Sequence, residues 1–133
     1  MTEQQTRPPS PFVMPCLISS DLERSRRFYV DIMGGEVARD DPLIVRFGGG
    51  AIVIAEGGGP TDDKPAVTLV PPSHTDKVSA IVNIRVDDID TTYREWSERG
   101  AEFMTPPTDR GPEIRAYLRD PDGHLIELGQ GKR

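Results

Sequence analysis

The sequence predicts an α+β domain of two tandem βαβββ repeats, and three observations lead there. Glycine and proline together supply 26 of 133 residues, about a fifth against an average near 12%, so many turns and short strands are expected rather than a helical bundle. Two helical segments stand out, each opened by capping residues and closed by glycine. Shifting the chain by 67 residues lays Asp21 on Asp88, Leu22 on Ile89, Ser25 on Thr92 and Tyr29 on Trp96. A one-residue slip at the helix end then lays Gly34-Gly35-Glu36-Val37 on Gly100-Ala101-Glu102-Phe103, as an internal duplication would.

Each element has a local reason. Residues 1–10, with Arg7-Pro8-Pro9-Ser10, carry little to bury and read as a flexible arm. The domain then runs over 11–130, with module one at about 11–57, a linker at about 58–78 and module two at about 79–130. Phe12–Ile18 has the length of a buried strand. Ser20 and Glu23 are spaced as a capping box that opens the first helix. Leu22, Ser25, Phe28, Tyr29, Ile32 and Met33 form one helical face, and Gly34-Gly35 stops the helix. Strands follow at 36–39, 43–47 and 51–56, and the linker holds one further short apolar stretch, Ala66–Val70. In module two, Ala80–Val86 is a strand and Asp87-Asp88-Ile89-Asp90 caps a helix whose buried stripe is Ile89, Tyr93 and Trp96. Gly100 closes that helix, and strands are expected at about 102–104, 112–118 and 124–128.

Composition narrows the function. With 16 basic and 22 acidic residues the formal net charge is −6, which disfavours nucleic acid as a partner. That charge would suit a cationic ligand or simple solubility. The apolar run Ile52–Ala55 is far short of the ~18 residues a membrane span needs. A polar start without an apolar signal region, together with the lone Cys16, points to the cytoplasm.

Three segments carry a family resemblance: Ser20-Asp21-Leu22-Glu23-Arg24-Ser25 with Phe28-Tyr29 and Gly34; Val86-Asp87-Asp88-Ile89-Asp90; and Asp120-Pro121-Asp122-Gly123-His124-Leu125-Ile126-Glu127-Leu128. Over residues 12–129 the chain resembles the vicinal oxygen chelate superfamily, which contains glyoxalase I, extradiol dioxygenases, epimerases, fosfomycin-resistance enzymes and bleomycin-resistance proteins. The resemblance implies that the two modules curl a mixed sheet around a cup, commonly built between two chains. It also implies a divalent metal held by His, Gln or Glu on the first and fourth strands of each module. Carried onto this chain, the first-strand positions are Met14 and Ile81, and the fourth-strand positions are Val53 (or Glu56 if the alignment slips by three) and Glu127. One carboxylate among thioether and hydrocarbon does not make a hard-metal site, so no metal is expected. His124 and Glu127, three apart on one strand, point to opposite faces, and His74 lies in a loop.

On this mapping the cup is lined by Met14, Cys16, Val53, Ile81, Asn83, Arg115, Tyr117 and Glu127. Apolar walls with a few polar groups describe a small-molecule site better than a catalytic one, so no residue is assigned a catalytic role. Tyr117 shares a strand face with Arg115 and Glu113 and partly matches an extradiol dioxygenase signature, but Thr108, Asp109 and Arg110 stand where that signature has histidine. Cys16 has no base nearby and reads as a buried, inert thiol. Trp96 reads as core. The leading reading is a homodimeric, cytoplasmic, metal-independent binding protein resembling bleomycin-resistance proteins, sequestering an antibiotic or metabolite. Saturable quenching of Trp96 fluorescence by small aromatic compounds would mark it. Two others stay open: a divalent-metal lyase, isomerase or dioxygenase with rearranged ligands such as Glu56 and Glu127, and a fold used only for interaction with another protein.

Overall fold

A computed structural model describes residues 9–132; the arm's first eight residues lie outside the described residues. Module one supplies β1 (Cys16–Ser19), α1 (Leu22–Arg26) continuing into a π-helical stretch (Arg27–Ile32), β2 (Glu36–Asp40), β3 (Leu43–Phe47) and β4 (Gly50–Glu56). Module two supplies β5 (Val82–Arg85), α2 (Ile89–Glu98), β6 (Thr108–Asp109), β7 (Glu113–Arg119) and β8 (Leu125–Gly131). Each module forms a four-stranded mixed sheet of the same order, β1-β4-β3-β2 and β5-β8-β7-β6. The first strand of each pairs parallel with the fourth, and the hairpins are antiparallel. This is the α+β architecture of paired βαβββ units that the duplication implied.

The one-residue slip has a structural form. Module one's helix carries one more residue than its counterpart, and the extra residue widens the helix into a π turn. Met33 N–H donates to Phe28 C=O at 3.0 Å and Gly35 N–H to Tyr29 C=O at 2.9 Å, whereas α2 closes on an ordinary turn through Arg99 N–H to Glu95 C=O at 3.1 Å.

Three local expectations are corrected. The cap of α1 is Asp21, whose carboxylate accepts Arg24 N–H. Ser20 instead turns to module two, its hydroxyl 2.5 Å from Asp122 Oδ1, so there is no capping box. The expected strand at 102–104 is reduced to one bridge, Phe103 to Leu118, because Phe103 turns inward against Tyr93 and Trp96. Its place at the edge of the second sheet passes to β6. Ala66–Val70 likewise forms only the bridge Leu69 to Gly58.

Alternation along the strands sorts the side chains. Val45, Ile52 and Ile54 of the first sheet and Ala116, Leu118, Ile126 and Leu128 of the second are buried. They join Phe28, Tyr29, Ile89 and Trp96 of the helices in one core shared by both modules. Polar bonds lock the modules together. Tyr29 OH donates to Asp120 Oδ2 at 2.6 Å in the buried interior. Asp120 Oδ1 takes the N–H groups of Asp122 and His124 at 2.9 and 2.8 Å. His124 Nε2 lies 2.8 Å from Ile18 C=O; a carbonyl only accepts, so this nitrogen carries the proton. Burial first, and then the Asp120 carboxylate, hold the Tyr29 phenol well above its ordinary pKa, keeping it a donor. Gly123, at φ +96°, makes the Asp-Pro-Asp-Gly turn that places Asp120 and His124.

Candidate functional site

The faces of the two sheets turned away from the helices carry the expected lining residues. On the first sheet Cys16 stands beside Val53 in register, with Met14 two residues ahead of it, before β1 begins. On the second, Asn83 stands beside Glu127, and Glu127 beside Tyr117. Cys16–Val53 and Asn83–Glu127 are therefore counterparts: the same pair position is apolar in module one and polar in module two. The register makes Val53 the fourth-strand position. Glu56 pairs with Ser19 and lies at period two from Ile52 and Ile54, so it belongs to the row facing the helices and cannot serve as a ligand beside Val53.

The structure brings Asn83, Arg115, Tyr117 and Glu127 together on one face, with Ile81 at its margin. Met14, Cys16 and Val53 lie on the other sheet, and no hydrogen bond or ion pair among the described residues joins the two groups. Two clefts of the chain are lined by none of these eight residues. One of about 940 Å³ is lined by Arg85, Val86, Asp87, Gln130, Gly131 and Lys132. The other, about 600 Å³, lies between α2 and Pro106-Pro107. The expected lining residues thus stand as two groups, one on each sheet. Met14, at 37% exposure, and Ile81, at 43%, are uncovered. Cys16 is exposed, which corrects the expected buried thiol: among the described residues none covers its side of β1. Trp96 is buried in the shared core, on the opposite side of the second sheet, so direct quenching by a bound aromatic is not a suitable signal.

The second sheet's face is a connected polar row. Asn83 Nδ2 donates to Glu127 Oε1 at 3.0 Å, and Arg85 Nη1 contacts Asn83 Oδ1 at 3.4 Å, which sets the amide's orientation. Glu127 is only 4% exposed although it points away from the core, so it is a buried carboxylate with a dedicated donor rather than a group in an open, wet cup. Arg85 Nη1 pairs with Glu113 Oε1 at 2.8 Å, and Arg115 Nε lies 3.7 Å from Glu113 Oε2. Gly129 makes room for this: a Cβ there would collide with the Arg85 guanidinium. Arg85 and Gly129 were not singled out from sequence, nor was Glu113 placed in the lining. The available signal was period two, since Arg85 and Gly129 lie two residues beyond Asn83 and Glu127, and Glu113 two before Arg115.

The donor set does not fit a hard divalent cation. The four family ligand positions hold a thioether, two hydrocarbons and one carboxylate, and that carboxylate already accepts the Asn83 amide. No group of three His, Cys, Asp or Glu side chains converges among the described residues. No helix among the described residues is long and apolar enough to cross a membrane.

Residues 12–128 match the family model described as Glyoxalase/Bleomycin resistance protein/Dioxygenase superfamily. The chain is 28% identical over 118 residues to a probable lactoylglutathione lyase of Synechocystis sp., covering 83% of this chain and 87% of the relative. Among solved structures it is similar to a glyoxalase/bleomycin resistance protein/dioxygenase from Alicyclobacillus acidocaldarius, with a TM-score of 0.72, 20% identity and 96% coverage of each chain. It is also similar to TnmS3, an antibiotic binding protein from Streptomyces sp., with a TM-score of 0.68, 22% identity and coverage of 94% of this chain and 100% of that one. With the family model spanning nearly all of the described residues, and the strand order, the counterpart pairs and the turn before β8 in agreement, the chain belongs to the glyoxalase/bleomycin resistance protein/dioxygenase superfamily.

Proposed function

We propose that this protein is a metal-independent small-molecule binding protein that works as a homodimer in the cytoplasm. The groove forms where the first sheet's outer face in one copy meets the second sheet's outer face in the other. One observation carries the reading: Glu127, the one carboxylate at the family's metal-ligand positions, is buried and accepts the Asn83 amide. An amide bonded to a buried carboxylate gives a preorganised polar spot, suited to orienting a ligand between apolar walls. The likeness to an antibiotic binding protein supports an antibiotic or comparable metabolite as the ligand, held by sequestration. The lone cysteine and the negative net charge support a reducing compartment and a partner other than nucleic acid.

The relative named as a probable lactoylglutathione lyase favours a second reading, a divalent-metal lyase, isomerase or dioxygenase in which Glu127 leaves Asn83. Elemental analysis of protein purified without chelator, with melting curves in added Mn, Fe, Ni and Zn, separates the two. The binding reading expects under about a tenth of a metal per chain and no metal-dependent rise in Tm. Near one metal per chain transfers the assignment to the enzyme. Sedimentation equilibrium tests the dimer; a monomer at micromolar concentration removes the shared groove.

A further inference from the structure

The polar row says what kind of ligand it takes, an inference that rests on the binding reading above. Arg115 stands at mid-strand opposite Gly129, and its guanidinium makes no hydrogen bond among the described residues. Its Nε is buried and without a partner, since Glu113 Oε2 lies 3.7 Å away, beyond hydrogen-bond reach. Glu113 is instead held by Arg85 at 2.8 Å, the guanidinium lying over Gly129 where any Cβ would displace it. The other carboxylate, Glu127, is taken up by Asn83. Two guanidiniums thus share one carboxylate, and the surplus is donor capacity concentrated on Arg115. An N–H without an acceptor is costly, and Arg115, whose side chain is about a third exposed, presents a planar guanidinium that an oxyanion accepting two N–H groups side by side completes best.

We infer that the ligand carries an oxyanion, a carboxylate or phosphoryl group, that docks on Arg115, and that Arg85, seated on Gly129, keeps Glu113 from occupying that position. The overall charge of −6 suggests a cationic ligand, but screening within about 10 Å leaves the local arginines to decide.

Four probes test this on the full-length protein: benzoate, phenyl phosphate, benzamide and benzylamine, titrated by calorimetry and by the arginine Nε–H resonances in nitrogen-15 NMR spectra. Benzoate or phenyl phosphate is expected to bind at least about tenfold more tightly than benzamide, with the Arg115 Nε–H resonance shifting downfield; which anion leads identifies carboxylate or phosphoryl chemistry. Arg115→Gln should erase the preference. Gly129→Ala, which meets only the flexible ends of Arg85 and Glu113, should keep a cooperative melt yet weaken anion binding several-fold as Glu113 swings to Arg115. Equal affinity for benzoate and benzamide, preference for benzylamine, or survival of the preference in Arg115→Gln overturns the inference while leaving a binding protein. So does an Arg115 Nε–H that moves on dilution to monomer but not with benzoate, which would mean that a second copy supplies the acceptor. Failure of all four probes to bind also overturns it, and the metal measurement then decides separately on the binding reading.

Discussion

Replacing Tyr29 with Phe removes one oxygen from the contact that joins the two modules. Tyr29 is fully buried and Asp120 is 6% exposed; their 2.6 Å bond is the one hydrogen bond that reaches Asp120 Oδ2 among the described residues, while Oδ1 keeps its two backbone donors. Phe fills the same volume, so no cavity term arises. The loss is that of a buried, charge-assisted hydrogen bond, about 1.5–3 kcal/mol. In a domain of this size it should lower Tm by about 5–12 °C. Chemical denaturation at pH 7 with an unchanged slope is the assay. The alkaline limb adds a signed check. The folded-state pKa of Tyr29 is raised, so its contribution is intact below the unfolded value near 10 and falls as pH climbs above it, by up to about 1.4 kcal/mol per unit. The gap between wild type and Tyr29→Phe should therefore narrow above pH 10. A loss below about 0.5 kcal/mol, or a gap independent of alkaline pH, would refute a buried phenol–carboxylate bond as the joint.

Other outcomes follow from the same geometry. Asn83→Ala leaves the Glu127 carboxylate buried without its donor and should cost about 1–3 kcal/mol; adding Glu127→Gln should restore part of it, and a neutral Asn83→Ala by denaturation would mean that water or a metal satisfies Glu127. Gly123→Ala forces a side chain onto a backbone at φ +96° and against Thr75, so a loss of about 1–2 kcal/mol is expected in melting curves. Asp88, capping α2 through Thr91 N–H, has its pKa lowered by that bond. Its contribution is present above the ordinary aspartate pKa and is lost as pH falls through the lowered value; Asp88→Asn, still able to cap, should flatten that part of the acid limb in a pH series of melts. Cys16, exposed in the single chain, should react rapidly with a thiol reagent in dilute protein and more slowly at high concentration under the proposed dimer, in which a second copy covers β1.

Much of this protein is determined by local pattern. Period-two alternation in Glu113–Arg119 and Leu125–Gly131 assigns every side chain to the core or the outer face, and the paired register then puts Arg115, Tyr117, Asn83 and Glu127 in one row. Glycine stops and acidic caps delimit both helices, and even the π turn is written as the one-residue slip between modules. What the pattern could not supply depends on contacts between residues far apart in the chain. Asp21 rather than Ser20 caps α1 because Asp122, about a hundred residues on, captures the Ser20 hydroxyl. Phe103 leaves its strand because two aromatic rings of α2 await it. Glu127 is buried and paired because Asn83 arrives from a strand 44 residues away, and Arg85 reaches Glu113 because Gly129 lacks a side chain between them. Alternation decides which way a side chain points; only the tertiary structure decides what it meets there, since hydrogen bonds and ion pairs act over a few ångströms and the partners are set by how sheets and helices pack.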